Sequence, residues 1–180
     1  MSEYVYVDNS NVFIEGRRVS AVKKGLAKDI RGAMAYDIQD QSYRIDFGKL
    51  HSFVAGNDPS KIARATLFGS RPPPNDSLWR VAEKAGFQTI IVDRNAANKE
   101  KKVDTGIVTA MVKDAYTKVD KASDTLTLVA GDGDFVPAVL DLKGDDFIIE
   151  VVFWGHVSKE LKDACSKFVN LNSYLDILAK

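Results

Sequence analysis

The chain has 180 residues, of which 45% are hydrophobic and 28% charged, and its 25 basic and 25 acidic side chains balance to a formal charge of zero. That length buries about two thirds of the unfolded surface in one core, and the composition excludes the polar, low-complexity signature of disorder. Neutrality excludes nonspecific attraction to a polyanion through total charge, so any nucleic-acid contact has to be local.

The one cysteine, Cys165 in ACSKFV, has no partner for an intramolecular disulfide and reads as a buried thiol. The start, MSEYVYVDNSN, lacks the basic and apolar regions of a signal peptide. No run reaches the roughly 18 apolar residues of a membrane span. A reducing, cytoplasmic setting is expected.

Tyr4 to Val7 is a β-rich run ending in Asp-Asn-Ser-Asn, so a buried strand should run into a polar turn or helix cap. Val12 to Tyr36 is rich in helix formers, interrupted by Gly16, Gly25 and Gly32, and reads as one or two helices. Asp46 is placed to cap a helix over Phe47–Ala55, before the turn GNDPS and a strand over Ile62–Phe68 closed by GSRPPP. Asn75 and Asp76 open a helix over Leu78–Ala85, ended by Gly86 before the strand FQTIIV.

After a basic stretch from Arg94 to Lys102, apolar residues at 103, 107, 108, 111, 112 and 115 recur every three or four positions, which predicts a helix with Asp104 in its first turn. A strand over Thr125–Ala130, the turn GDGD and a helix over Phe135–Leu142 follow, with Pro137 tolerable only in the first turn. The rest reads as a strand over Phe147–Trp154, a helix over Ser158–Cys165, a short strand over Lys167–Leu171 and a terminal helix from Asn172 or Ser173. Strands alternating with helices imply parallel pairing, hence a three-layer α/β/α sandwich with a mainly parallel sheet, in one domain over residues 1–180.

Ligands of such sheets bind beyond the carboxyl ends of the strands. Asp8 and Asp132 each follow a strand and project from one edge if those strands are parallel neighbours. Asp104 and Asp134 begin helices that can face the same edge. Four carboxylates together repel one another unless a cation compensates them. Oxygen ligands suit Mg²⁺ or Mn²⁺, whereas two distant histidines and one cysteine offer no zinc spacing. Such a site would serve phosphodiester hydrolysis. Asn11 is the first candidate to orient a carboxylate or contact substrate, with Ser10 second. Arg71, Arg94, Lys99, Lys101 and Lys102 lie near the same strand ends and would form a basic rim for phosphates.

Each residue also has a plainer account. Asp8 suits a helix cap, Asp104 a helix dipole, GDGD a turn and the basic run a solvated loop. Trp79 and Trp154 read as core residues, leaving Tyr36 and Tyr43 as freer candidates for base stacking. His51 reads as structural, and His156 after FWG approaches the edge with a minor claim to a catalytic role. One metal site explains four converging acids more economically than four independent caps.

The motifs VDNSN, KKVDTGI and LVAGDGDFVPAV, with the tail EVVFWGHVSKELKDAC and FVNL, resemble the NYN domain family and, more narrowly, its LabA-like branch. The resemblance covers most of the chain. It implies a PIN-like fold, a divalent-metal site on Asp8, Asp104, Asp132 and Asp134, and ribonuclease activity, with Asn11 at the family's polar position after the first acid. RNA, single-stranded in the first instance, is the implied partner, and a homo-oligomer or regulatory complex stays open. Two departures are visible: residues 17–46 match poorly, and Lys102 stands where the family carries glycine. Two other functions remain open, a noncatalytic RNA-binding or regulatory module and a haloacid dehalogenase-type phosphatase. The second is weakened by Ser10, which stands where that nucleophile motif needs an acid.

Overall fold

The structure, a computed structural model that describes residues 1–71, 76–93 and 101–180, is organised on the strands β1 (Glu3–Asp8), β2 (Ile62–Arg71), β3 (Gln88–Asp93), β4 (Thr125–Val129), β5 (Ile148–Phe153) and β6 (Lys167–Asn170). They form one sheet in the order β3-β2-β1-β4-β5-β6, with every pairing parallel. The helices are α1 (Asn9–Lys23), α2 (Ile30–Ala35), α3 (Phe47–Ala55), α4 (Ser77–Lys84), α5 (Lys101–Thr117), α6 (Val136–Gly144), α7 (Lys159–Ala164) and α8 (Leu175–Leu178).

The chain winds outward from β1 to β3, then returns to β4 and winds the other way. Right-handed crossovers therefore place α1 to α4 on one face and α5 to α7 on the other, giving the three-layer sandwich. With both faces covered, the central strands are buried on successive residues rather than on alternate ones: Val5, Tyr6 and Val7 in β1 and Leu126, Leu128 and Val129 in β4 are fully buried, and Thr125 and Thr127 beside them are buried too. No helix among the described residues is long and apolar enough to cross a membrane.

The segment from Val12 to Tyr36 is two helices. Gly16 and Gly32 lie inside them, whereas Gly25 has φ +72°, the left-handed backbone that stops α1. Gly16 is required by proximity: a Cβ there would stand 2.7 Å from the Trp154 ring, whose Nε1 donates to the Val12 carbonyl at 2.8 Å. The poorly matched stretch that follows is anchored through Asp40, which accepts from Ser20 and Ser42 and pairs with Lys24 at 2.7 Å.

The predicted cap at Asp46 accepts from Lys49 N at 2.9 Å. The strand predicted to end at Phe68 continues to Arg71, because Gly69 and Ser70 still pair with β3, while Pro72, Pro73 and Pro74 lie outside the described residues. Ahead of α6, residues Gly133–Phe135 form a separate 3-10 turn, with Pro137 in the first helical turn as required. The expected terminal helix is a 3-10 turn over Leu171–Tyr174 leading into α8.

Candidate metal centre

Between β1 and β4 the strand order reverses, and an open sheet forms its binding crevice at that point. Two strand ends and the start of α5 deliver acids there. Val103, Ile107 and Met111 bury one side of α5 against the sheet, which leaves Asp104 half-buried on its flank in the first turn. Past the end of β4, Asp132 caps the 3-10 turn, its Oδ1 accepting from Asp134 N at 3.0 Å, so the two acids are held in one tight turn.

Asp104, Asp132 and Asp134 each offer a carboxylate oxygen within 4.8 Å of the other two. Three of the four expected acids thus meet within that distance. Asp8, the last residue of β1 and only 6% exposed, stands outside the 4.8 Å group. Its Oδ1 turns back on the start of α1, accepting from Asn11 N at 3.2 Å and Ser10 Oγ at 3.4 Å. The cap reading of Asp8 is therefore realised in the geometry beside the crevice.

Asn11 ties the two strand ends together, because its Oδ1 accepts from Gly131 N at 2.9 Å. On the other side, Ser158 N donates to the Gly131 carbonyl at 3.0 Å. Gly131 itself lies flat on Phe153, and a Cβ there would stand 2.0 Å from that ring. The turn carrying Asp132 and Asp134 is thus fixed by α1 on one flank and by the loop after β5 on the other.

The basic residues expected at the rim, Arg71, Arg94, Lys101 and Lys102, lie outside the residues whose side chains are described, as does Lys99. Trp79 and Trp154 are core residues, as their neighbours in sequence suggested. Tyr43, expected to be free for stacking, is instead 8% exposed with its hydroxyl donating to the Leu175 carbonyl, because residues 17–46 pack against the C-terminal turn. Tyr36 is exposed. His51 packs edge-on against Phe87 at 4.9 Å, and burial lowers its pKa.

Glu15 was not singled out from the sequence. Its Oε2 lies 2.6 Å from His156 Nε2, and its other oxygen pairs with Arg18. Spacing carried the signal: Asp8, Asn11 and Glu15 recur at intervals of three and four and so share a helix face. His156 is held by this carboxylate, one helical turn along α1 from Asn11.

The three acids fit a hard divalent cation by donor chemistry: all-oxygen, anionic, and close enough to one another to share one ion. A search of curated proteins gave no match to this chain. A crystal structure of a protein of unknown function from Vibrio parahaemolyticus has the same fold, with a TM-score of 0.65 and 17% identity over 94% of this chain and 92% of that one. The model of the NYN domain, a family within the PIN-like nuclease superfamily, matches residues 4–172, and the chain belongs to the NYN domain family.

Proposed function

We propose that this chain is a divalent-metal-dependent ribonuclease of the LabA-like branch, cutting phosphodiester bonds of single-stranded RNA at the β1–β4 crevice. The observation that carries the reading is the convergence of Asp104, Asp132 and Asp134 within 4.8 Å at the sheet's switch point. Family membership supports it, since NYN domains are generally nucleases that use divalent metals.

Asp104, Asp132 and Asp134 would hold Mg²⁺ or Mn²⁺. When bound, the cation supplies Lewis-acid charge to the scissile phosphate and acidifies water beside it. Asp8 fixes the start of α1, and from there Asn11 holds Gly131 and so orients the Asp132 turn. Ser10, on the same first turn, offers a hydroxyl at the mouth of the crevice.

The proposed phosphate rim is Arg71, Arg94, Lys101 and Lys102. Arg71 ends β2, Arg94 follows the last residue of β3, and Lys101 and Lys102 open α5, so in sequence all four adjoin this edge. A neutral chain needs such a local patch, since total charge supplies no attraction.

The test is cleavage of single-stranded and structured RNA with Mn²⁺, Mg²⁺ or EDTA, comparing the native chain with Asp132→Asn. Metal-dependent cleavage of the single strand, lost in the variant, is expected. Cleavage in EDTA or full activity of the variant refutes the mechanism, and metal binding without cleavage points to a noncatalytic RNA-binding module.

A further inference from the structure

Beside the acidic crevice, a second cleft of about 660 Å³ opens between α1, the loop after β5 and the start of α8. Its walls are apolar: Val19 and Val22 from α1, Ile30 from α2 and Leu175 from α8. Its polar groups are few and converge. Gly155 N donates to Asn172 Oδ1 at 2.9 Å, and Asn172 N donates to Asn170 Oδ1 at 2.9 Å. Both carboxamide oxygens are thereby committed to backbone, which fixes both amides with their nitrogens outward as donors.

Neither Nδ2 has a partner among the described residues. The two nitrogens crowd the same side of Gly155, each 3.0 Å from where a Cβ there would stand, with Asn170 Oδ1 at 3.4 Å, so any side chain at 155 would press on both donors. The charge there is compensated. Lys23 is paired with Asp176, and His156, at the cleft's inner end, is held by Glu15. A phosphate would find no uncommitted cation among the described residues, whereas a flat neutral ring bearing acceptors would find apolar walls and two fixed donors.

We propose that this cleft is a nucleobase subsite that selects a base with two neighbouring acceptors, guanine through N7 and O6, over adenine, in which an amino group replaces the second acceptor. The proposal rests on the ribonuclease reading for its ligand and gives that reading a base preference. Placement agrees with it: Val19 lies eight residues after Asn11 on α1, about 12 Å along the helix axis. Gly155 also lies three residues before Ser158, whose backbone holds Gly131. A strand with its phosphate at the acids would therefore lay a nearby base in the cleft.

The test is fluorescence anisotropy of the native chain in EDTA, so that nothing is cut, with an oligo-adenosine octamer and the same octamer carrying one central guanosine. Expected is on the order of tenfold tighter binding of the guanosine octamer, competed by free guanosine and not by inorganic phosphate. Asn172→Asp keeps the oxygen that accepts from Gly155 N but removes the donor, and Gly155→Ala presses a Cβ on both donors. Each should abolish the preference, read as the ratio of the two octamers' affinities for the same variant.

Equal affinity for the two octamers, a preference that survives both variants, or competition by phosphate alone overturns the subsite. The two readings fail separately. Metal-dependent cleavage without base preference removes the subsite alone, and guanosine preference without cleavage removes the nuclease alone.

Discussion

The three converging acids make a prediction about stability that does not depend on any activity. At 4.8 Å, two unit charges in a water-like dielectric repel by about 0.9 kcal/mol. Asp132 and Asp134 are exposed, so that dielectric is the appropriate one. Asp132→Asn removes the repulsion from Asp104, about 1 kcal/mol at low ionic strength and less once salt screens it, whereas Asp134, two residues away, repels Asp132 in the unfolded chain as well. The cap on Asp134 N survives, because asparagine accepts at a helix start about as well as aspartate.

The variant should therefore melt about 2–4 °C above the native chain in EDTA, with the larger gap at low salt. Mn²⁺ should reverse the order. At a hundred times its Kd, a ligand of the folded state contributes about 2.7 kcal/mol, which the native chain gains and the variant largely loses. Thermal melts across a Mn²⁺ titration, at low and high salt, read both effects. A lower melting temperature for the variant in EDTA, together with an undiminished Mn²⁺ shift, refutes the argument that these acids form a cation site.

Other perturbations probe the scaffold. Asn11→Ala strips Gly131 N of its acceptor and should cost about 1 kcal/mol in urea unfolding while lowering metal-dependent cleavage at least tenfold; unchanged cleavage would mean that Asn11 does not position the Asp132 turn. Asp114, 1% exposed, accepts from Tyr6 Oη at 2.9 Å and pairs with Arg64 at 2.7 Å and Lys118 at 3.0 Å, so Asp114→Ala should cost about 3–5 kcal/mol by chemical denaturation. Burial pushes the Asp114 carboxyl up, but the bonds from Lys118, Tyr6 and Arg64 together outweigh it, and its pKa is lowered. A lowered folded pKa gives stability that is present above the unfolded carboxylate value of about 3.9 and is lost as pH falls through the folded one, so Asp114→Asn should flatten the acid limb below about pH 4. Gly69→Ala would put a Cβ 2.2 Å from the Trp79 ring and should cost about 1–3 kcal/mol, read from the same denaturation curves.

Local chemistry made most of the architecture legible. The period of apolar residues from Val103 to Ala115 is that of α5, Asp46 caps α3 where its position predicted, and the helix expected from Ser158 begins one residue later with Ser158 as its cap. Alternation of strands and helices was enough for a parallel sheet, and hence for the edge at which Asp8 and Asp132 stand. What sequence did not convey were relations across the fold. That Asp8 Oδ1 accepts from Asn11 N depends on how tightly α1 follows β1. That Tyr43 is buried depends on residues 17–46 returning to Leu175, a contact between positions 132 apart. The pairing of Glu15 with His156 spans 141 residues, and only the shared helix face of Asp8, Asn11 and Glu15 hinted at it.

These long-range contacts give the candidate site its order. The turn from Gly131 to Asp134 is short and glycine-rich, a sequence that by itself would wander among many conformations. Asn11 takes its amide from one side and Ser158 its carbonyl from the other, while the Phe153 ring lies where any larger residue at 131 would need to be. Asp132 then closes the turn on Asp134 N. The carboxylates are thereby brought within one ion's reach by hydrogen bonds that involve no metal, so a cation binding there has repulsion to relieve and little chain left to order. Asp8, though outside the trio, contributes to the same end: by fixing the first turn of α1 it sets where Asn11 reaches, and a change at Asp8 should be felt at Asp132 through that single hydrogen bond.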